Sequence, residues 1–326
     1  MRARLSSTIE NFLDVRVMPD SNVAMEARRL GIDIAVDLKG YCKDSRTGIF
    51  AHRAAPVQAS YLGYPGTMGT PCIDYLIADA TIIPEGHRRF YSESIVYLPD
   101  SYQPNDTRRE ISDAHFSREE MGLPSAGFVF CCFNNNFKIL PATFERWMRI
   151  LRMVEGSVLW LLEDNPAAAG SLRREAAARG VDPGRLIFAS RMPPPEHLAR
   201  HRLADLFLDT LPCNAHTTAS DALWAGLPVL TCPGETFAGR VAASLLNAIR
   251  LPELIARTPE EYESFAIELA RSPGRLAELR RKLEINRPTA PLFDIALFTR
   301  HLESGFAAMH ERCQAKLQPA DINVSD

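Results

Sequence analysis

The sequence predicts an α/β protein built around a parallel β-sheet. From about Phe128 onward, short apolar runs alternate with segments of helical periodicity. The apolar runs are continuous, as is typical of strands that are buried on both faces of a parallel sheet. A chain of 326 residues, of which 46% are hydrophobic, is long enough for two domains and a sizeable core. These observations predict a doubly wound α/β domain in the second part of the chain.

The elements of this second part follow one another in a regular order. The predicted strands are 128–133, 157–162, 185–189, 205–209 and 228–231. The predicted helices between and after them are 141–153, 167–179, 196–202, 217–225 and 237–248. Three further helices are predicted at 259–271, 273–285 and 294–312, and the polar residues 317–326 are predicted to form a disordered tail. A ligand is expected at the carboxyl ends of the strands.

The first 115 residues contain fewer regular elements. A helix is predicted at 22–30 and strands at 32–38, 57–62, 75–77 and 94–97. This is part of a second α/β unit, with too few repeats to form a complete one.

The composition and the first residues argue against a nucleic-acid-binding, a membrane-spanning or a secreted protein. The net charge of −3 argues against a nucleic-acid-binding protein, which would carry a basic surplus. No apolar run approaches the length of roughly 18 residues that a membrane span needs, and the first residues lack the apolar core of a secretory signal. Seven cysteines occur without a C-x-x-C pair, which favours a reducing cytoplasm.

The most informative segment is 214–221, Asn-Ala-His-Thr-Thr-Ala-Ser-Asp. It follows a short apolar strand and opens a helix with His216, Thr217 and Thr218 at its start. A helix N-terminus is a ready anion site because unpaired N–H groups and the helix dipole both favour negative charge. A second strand-to-helix corner follows at 229–236, and together the two corners indicate a phosphate-bearing ligand. Ordinary N-capping by Ser, Thr and Asp is the alternative.

Two other side chains are predicted to lie at the same sheet edge. Lys138 follows the first strand of the domain and could offer a point charge to a phosphate, or it could be a solvated surface lysine. His197 follows a strand in Pro-Pro-Pro-Glu-His and could stack on a base or bond a ribose, or it could lie at the surface. Three loops that converge on one edge make a stronger prediction than any of them alone.

Several motifs are absent. The glycine-rich loop 62–69 lacks both the G-x-G-x-x-G spacing and the Gly-Lys-Ser/Thr of a Walker A loop. There is no Asp-x-Asp, no His-Glu-x-x-His and no Gly-x-Ser-x-Gly. A metal hydrolase or a serine hydrolase is therefore not expected. A phosphate would be neutralised by Lys138 and helix dipoles instead of a divalent ion.

A set of short motifs, taken together, resembles a known family. The motifs are Gly-Tyr-Pro-Gly-Thr at 63–67, Phe-Asn to Phe-Lys at 133–138, Leu-Trp-Leu-Leu at 159–162, Glu-His at 196–197, Cys-Asn-Ala-His-Thr-Thr at 213–218, Trp-Ala-Gly at 224–226 and Pro-Gly-Glu-Thr through 244. In this order, over about residues 32–298, they resemble the catalytic region of protein O-GlcNAc transferases and their SPINDLY relatives. The resemblance implies a GT-B glycosyltransferase with two Rossmann-like domains facing a cleft. It would be inverting and metal-independent, with no cofactor, and would move GlcNAc from UDP-GlcNAc to Ser/Thr hydroxyls of proteins.

The resemblance also implies roles for individual residues. Lys138 would contact the pyrophosphate and stabilise the UDP leaving group, assisted by Asn135. His197 would approach the uracil or ribose, with backbone groups of 189–194 holding the uracil. Phosphates would be held by His216, Thr217 and Thr218, the ribose by Asp221, and the sugar or acceptor by Tyr41, Arg46, Leu62, Gly63 and Pro65.

The chain differs from the family in two respects. It lacks the tetratricopeptide repeats and the first strand with its Ser-x-Asp-Phe-x-x-His motif. The expected domains are therefore an incomplete Rossmann-like domain at 1–115, a nucleotide-sugar-binding one at 116–292, a C-terminal helix at 293–316 and a tail at 317–326. A separate N-terminal segment is an expected partner besides the donor and the protein acceptor. Two alternatives remain: protein fucosylation from GDP-fucose, and a non-catalytic nucleotide-binding fragment.

Overall fold

The computed structural model describes residues 2–325, with side chains from residue 5 onward. The chain forms two compact units. The first unit consists of the residues up to Ala78, together with 89–97 and 303–324. The second unit consists of 79–88 and 98–302, followed by the last residues. Each unit contains one five-stranded sheet, which confirms the predicted α/β class.

The strands and helices are numbered in chain order. The strands are Ile34–Asp37 (β1), Val57–Ser60 (β2), Tyr75–Asp79 (β3), Ser94–Leu98 (β4), Val129–Cys132 (β5), Val158–Leu162 (β6), Leu186–Ala189 (β7), Leu206–Leu208 (β8), Val229–Leu230 (β9) and Ile322–Asn323 (β10). The helices are Arg2–Thr8 (α1), Asp20–Arg29 (α2), Gly48–Ala51 (α3), Pro141–Met153 (α4), Pro166–Ala178 (α5), Pro194–Arg200 (α6), Thr217–Trp224 (α7), Val241–Ala248 (α8), Pro259–Arg271 (α9), Pro273–Asn286 (α10) and Ile295–Gln314 (α11). Within residues 2–325, no helix is long and apolar enough to cross a membrane.

The sheet of the second unit is parallel throughout, with strand order β7-β6-β5-β8-β9. Its central strand is β5, in which Cys131 is paired with Trp160 on one side and with Phe207 on the other. Every residue of β5, β6 and β8 is buried, which is why these strands appear as continuous apolar runs in the sequence. Burying each large apolar side chain contributes roughly 1.5–3 kcal/mol.

Proline and capping side chains set where several helices begin. Pro141 and Pro259 occupy the first turn of α4 and α9, where the missing N–H costs no hydrogen bond. At the start of α9, Thr258 Oγ1 accepts a hydrogen bond from Glu261 N at 3.1 Å. The observed bounds of both helices equal the predicted ones.

The sheet of the first unit has the order β1-β2-β3-β4-β10. Its last strand, β10, pairs in parallel with β4 and lies within the predicted disordered tail, so that prediction is wrong for residues 322–323. Asp321 Oδ1 also accepts a hydrogen bond from Ile95 N at 2.8 Å. The polar sequence of the tail predicted disorder because it has no apolar pattern. A two-residue edge strand is stabilised by backbone pairing, which the side-chain pattern does not show.

The unit boundaries differ from the predicted domain boundaries of 1–115, 116–292 and 293–316. The segment from Leu98 onward belongs to the second unit, where Tyr102 N donates to the buried Asp79 Oδ2 at 2.9 Å. Asn105 Nδ2 donates to Leu292 O at 3.2 Å in the same unit. The helix α11 is divided between the units after Leu302 and does not form a domain of its own. Such long-range bonds leave no periodic signal in the sequence.

Candidate functional site

Two loops meet at the carboxyl edge of the second sheet. The loop after β5 carries Asn134 and Lys138, and the loop after β8 leads into α7. Lys138 Nζ donates a hydrogen bond to Asn214 O at 2.6 Å. Asn134 Nδ2 donates to Thr210 Oγ1 at 2.7 Å, and Thr218 Oγ1 donates to Asn134 Oδ1. The loops after β5 and β8 therefore converge in the structure, as predicted.

A buried carboxylate, Asp209, organises the loop between β8 and α7. Its Oδ1 accepts hydrogen bonds from Thr210 N at 2.7 Å and from Ala215 N at 2.5 Å. Its Oδ2 accepts one from Thr231 Oγ1, at the end of β9, at 2.6 Å. Burial raises the pKa of Asp209 to about 7, although these hydrogen bonds and the Lys138 charge act in the opposite direction. The carboxyl group therefore fixes the backbone that leads to His216.

The start of α7 combines a cation with unpaired backbone donors. Among the described residues, Thr217 N and Thr218 N have no hydrogen-bond partner, whereas Ala219 N and Ser220 N donate to His216 O. Lys138 Nζ is bonded to Asn214 O in the loop just before them. His216 precedes Thr217, and its Nε2 lies 3.2 Å from Ala238 O. Burial, reinforced by the Lys138 charge, lowers the pKa of His216 to about 4, so its imidazole is neutral at pH 7. Such a corner can bind a phosphate through one positive charge, N–H donors and a hydroxyl.

An aromatic cluster surrounds His197 on α6. The His197 ring lies 5.3 Å from the ring of Phe133 and 4.9 Å from that of His201, measured between centroids. The buried Arg200 guanidinium stands 4.6 Å from the Phe133 centroid. Burial lowers the pKa of His197 to about 3, with smaller contributions from the charges of His201 and Arg200. A neutral, half-buried planar ring of this kind can stack on a planar base.

Asp221, on α7, is held by a residue that the sequence did not single out. Its Oδ1 accepts a charged hydrogen bond from Arg109 Nη2. Burial raises the pKa of Asp221, and the Arg109 charge acts against that rise. Arg109 also contributes to the lowered pKa values of His197 and His201, so its charge acts on both α6 and α7.

The glycine-rich loop belongs to the first unit. Leu62 is exposed and has a left-handed backbone with φ of +69°. A Cβ on Gly63 would lie 2.2 Å from Leu38 O, so only glycine fits there. Pro65 is half-buried in the same loop. The buried Glu93 fixes the end of the loop by accepting hydrogen bonds from Thr67 Oγ1 at 2.6 Å and from Met68 N at 2.5 Å.

Tyr41 and Arg46 also lie in the first unit. Tyr41 Oη donates to Met68 O at 2.7 Å, and its ring meets that of Tyr64 edge-on at 5.4 Å. Arg46 donates to Val15 O, Met18 O and the Asp20 carboxylate, so its guanidinium is occupied in holding the segment before α2. A role of these residues in a sugar or acceptor pocket stays a prediction.

The structure brings together part of the predicted set. Lys138, Asn135, His216, Thr217 and Thr218 lie on two joined loops and one helix start, while His197 lies on α6 and Asp221 further along α7. Their roles toward a ligand stay predictions. Asp209, which ends an apolar strand, and Asn134, which is next to Asn135, were not predicted as site residues. Arg109 was not predicted either, because it fell in the predicted domain 1–115 and not in the nucleotide-sugar-binding domain 116–292. Among the described side chains, no group of three or more His, Cys, Asp or Glu could hold a metal ion.

Comparison with known proteins identifies the family. Residues 1–116 and 110–302 match glycosyl transferase family 41. The chain belongs to this family. It is 40% identical to the probable UDP-N-acetylglucosamine–peptide N-acetylglucosaminyltransferase SEC of Arabidopsis thaliana, over 99% of this chain and 34% of that protein. It is 33% identical to the probable UDP-N-acetylglucosamine–peptide N-acetylglucosaminyltransferase SPINDLY of Petunia hybrida, over 92% of this chain and 32% of that protein.

A solved structure supports the same family 41 assignment. An O-GlcNAc transferase mutant from Thermobaculum terrenum superposes with a TM-score of 0.87 at 34% identity, covering 96% of this chain and 60% of that one. The predicted GT-B class and the resemblance to O-GlcNAc transferases and SPINDLY are thus confirmed. The chain spans about a third of the length of the curated relatives named here.

Replacing Asp209 with Asn should make the stability of the second unit depend less on pH. A folded-state pKa of about 7, above the ordinary 3.8, means that wild-type stability falls as pH rises from about 4 to 7, because the folded protein retains a proton that the unfolded chain loses. Asn can accept from the same two N–H groups and donate to the Thr231 hydroxyl. Between pH 5 and 7, the free energy of unfolding of wild type should fall by about 2 kcal/mol more than that of Asp209→Asn.

Urea unfolding followed by tryptophan fluorescence measures this difference. All three tryptophans, Trp147, Trp160 and Trp224, lie in the second unit. Asp113→Asn, at an exposed carboxyl of the same unit, is the matched control and should follow wild type. Parallel pH profiles for wild type and Asp209→Asn would contradict the assignment.

Proposed function

We propose that this chain is the catalytic region of an inverting, metal-independent glycosyltransferase that moves GlcNAc from UDP-GlcNAc to Ser/Thr hydroxyls of proteins. The family 41 relatives are named as probable UDP-N-acetylglucosamine–peptide N-acetylglucosaminyltransferases, which supports the donor and the acceptor class. The observation that carries the proposal is the position of Lys138, whose Nζ is bonded to Asn214 O in the loop that leads into α7.

The donor pyrophosphate would lie between Lys138 and the start of α7. Lys138 supplies one full positive charge, and the helix N-terminus adds about half a charge together with its N–H donors. His216 and Thr217 would add an imidazole and a hydroxyl, with Asn135 on the facing loop. Thr218 would contribute mainly its backbone N–H, because its hydroxyl already donates to Asn134. With this charge supplied by the protein, the pyrophosphate needs no divalent cation.

The nucleoside would extend from the pyrophosphate toward α6. The uracil would stack on the neutral ring of His197, which its packing against Phe133 and His201 keeps in place. Backbone groups of residues 189–194 would hold the edge of the base. Asp221 would accept a hydrogen bond from a ribose hydroxyl.

The reaction would be a single displacement at the anomeric carbon. The acceptor oxygen forms the new bond from the face opposite to UDP while its hydroxyl proton passes to solvent. The bond from the anomeric carbon to the β-phosphate oxygen breaks with its electron pair going to UDP. Charge develops on that phosphate in the transition state, where Lys138 and the helix N-terminus stabilise it. Positioning of the two substrates would supply much of the remaining acceleration. Leu62, Gly63, Pro65 and Tyr41 would contact the sugar or the acceptor. Arg46, whose guanidinium is bonded to Val15 O, Met18 O and Asp20, would support that pocket by fixing the segment before α2.

Replacing Lys138 with Ala should lower the turnover number about 100-fold or more, because a preorganised charge on the leaving group is lost. Transfer from radiolabelled UDP-GlcNAc to a protein mixture measures the effect. Lys282→Ala is the matched control, since Lys282 pairs with Glu253 away from this edge of the sheet. Near-normal turnover in Lys138→Ala would refute the assigned role.

UDP should bind the purified chain more than tenfold more tightly than GDP, and EDTA should not change its affinity. Calorimetric titration with each nucleotide, with and without EDTA, measures both points. Preference for GDP would favour the alternative, protein O-fucosylation from GDP-fucose. Binding of neither would favour a non-catalytic fragment that needs a partner, and loss of UDP binding in EDTA would contradict metal independence.

A separate N-terminal segment is proposed as a partner of the first unit. Strand β1 lies at one edge of its sheet, and such an edge can pair with another strand. The first 38 residues also expose large apolar side chains, which a partner would cover. These are Leu5, Ile9, Phe12, Leu13, Val17, Met25, Leu30, Ile32 and Leu38.

Adding such a segment should slow hydrogen exchange at the amides of β1. The segment to use is the part of the Arabidopsis relative that precedes the aligned region, with a scrambled peptide as control. Strand β2, which already pairs with β1 and β3, should show little change. Unchanged exchange in β1 would contradict the proposal.

The remaining proposals concern the surroundings of the protein. We propose a cytoplasmic location, with no nucleic-acid or membrane partner. All seven cysteines are free thiols, as expected in a reducing compartment, and the net charge of −3 does not suit a polyanion.

A further inference from the structure

Arg109 is fixed against α7 at two points. Its guanidinium is paired with the Asp221 carboxylate, and its carbonyl oxygen accepts a hydrogen bond from Trp224 Nε1 at 3.1 Å. Asp221 and Trp224 are three residues apart and therefore lie on one face of the helix. Trp224 is itself packed, with its ring 5.0 Å from that of Phe293 and its carbonyl bonded to Arg287 Nη1 at 2.8 Å. The position of Arg109 is therefore set by its main chain as well as its side chain.

The ion pair is partly shielded from water. The Asp221 side chain is 14% exposed and that of Arg109 is 27% exposed. Burial disfavours the ionised carboxylate, and the adjacent guanidinium favours it. Ionised Asp221 offers acceptors on both oxygens, whereas a protonated carboxyl would offer fewer. Arg109 uses Oδ1, and Oδ2 has no hydrogen-bond partner among the described side chains and backbone groups.

We infer that Arg109 is a positioning residue for the donor ribose: it orients the Asp221 carboxylate so that the second oxygen accepts a hydrogen bond from a ribose hydroxyl. This inference rests on the donor site proposed above and adds to it a residue that does not touch the phosphates. Because UDP and GDP carry the same ribose, it does not depend on which base the site prefers.

The test compares nucleotides that differ only in the ribose. Calorimetry on the full chain would use UDP, 2′-deoxy-UDP and 3′-deoxy-UDP. Wild type should bind UDP about 10-fold or more tightly than one of the deoxy analogues, the value of a hydrogen bond to a charged group. Arg109→Ala should weaken UDP binding by a similar factor and lose this preference, while Arg109→Lys should retain part of it.

Two comparisons separate positioning from a structural effect. Arg108→Ala is the matched control and should behave as wild type, because the Arg108 side chain is 90% exposed and pairs with Asp106. The double variant Arg109→Ala/Asp221→Ala should bind UDP no more weakly than Asp221→Ala alone. If Arg109→Ala does not fold, Arg109→Gln, which removes the charge and keeps a donor, takes its place.

Several results would overturn the inference. They are a wild type without ribose discrimination, an Arg109 variant that keeps the full discrimination, or additive losses in the double variant. If wild type binds GDP and not UDP, the same comparison with the deoxy analogues of GDP tests the role of Arg109. In that case only the proposed donor, UDP-GlcNAc, is refuted. Binding of neither nucleotide would refute both the proposed function and the role of Arg109.

Discussion

The candidate site depends on one buried carboxyl group, that of Asp209. A charged or polar group without water must find its partners inside the protein, and Asp209 finds them in Thr210 N, Ala215 N and the Thr231 hydroxyl. These bonds join the ends of β8 and β9 and fix the backbone of the loop before α7. This backbone conformation places Asn214 O within hydrogen-bond distance of Lys138 Nζ. The candidate phosphate site therefore depends on the burial of one side chain.

The carboxyl edge of the second sheet carries a positively charged region and, apart from it, neutral polar side chains. Lys138 and the start of α7 concentrate positive potential where a pyrophosphate would lie. His197 and His216, by contrast, are neutral at pH 7 because burial and nearby cations disfavour their protonated forms. A nucleotide has this division itself, with charged phosphates at one end and an uncharged base at the other. The arrangement therefore suits a nucleotide better than a simple phosphate.

Local elements were predictable to different degrees. The helices α4 and α9 were predicted with their observed bounds because proline and capping residues mark their starts. Lys138 and His216 were predicted to share one sheet edge because parallel strands bring their carboxyl ends together. Arg109 was not predicted, since its partners Asp221 and Trp224 are more than 110 residues away. The strand β10 was missed because its stabilisation is backbone pairing with β4.

The sequence by itself determined the α/β class, the order of strands β1 to β9 along the chain, the family and the residue types at the candidate site. These properties depend on local patterns: apolar runs, helix starts and short motifs. The tertiary structure decided which buried groups pair, namely Asp209 with the loop before α7 and Arg109 with Asp221. It also decided the lowered pKa values of His197, His201 and His216 and the boundaries of the two units. The physical reason is that burial and pairing depend on neighbours that are distant in sequence.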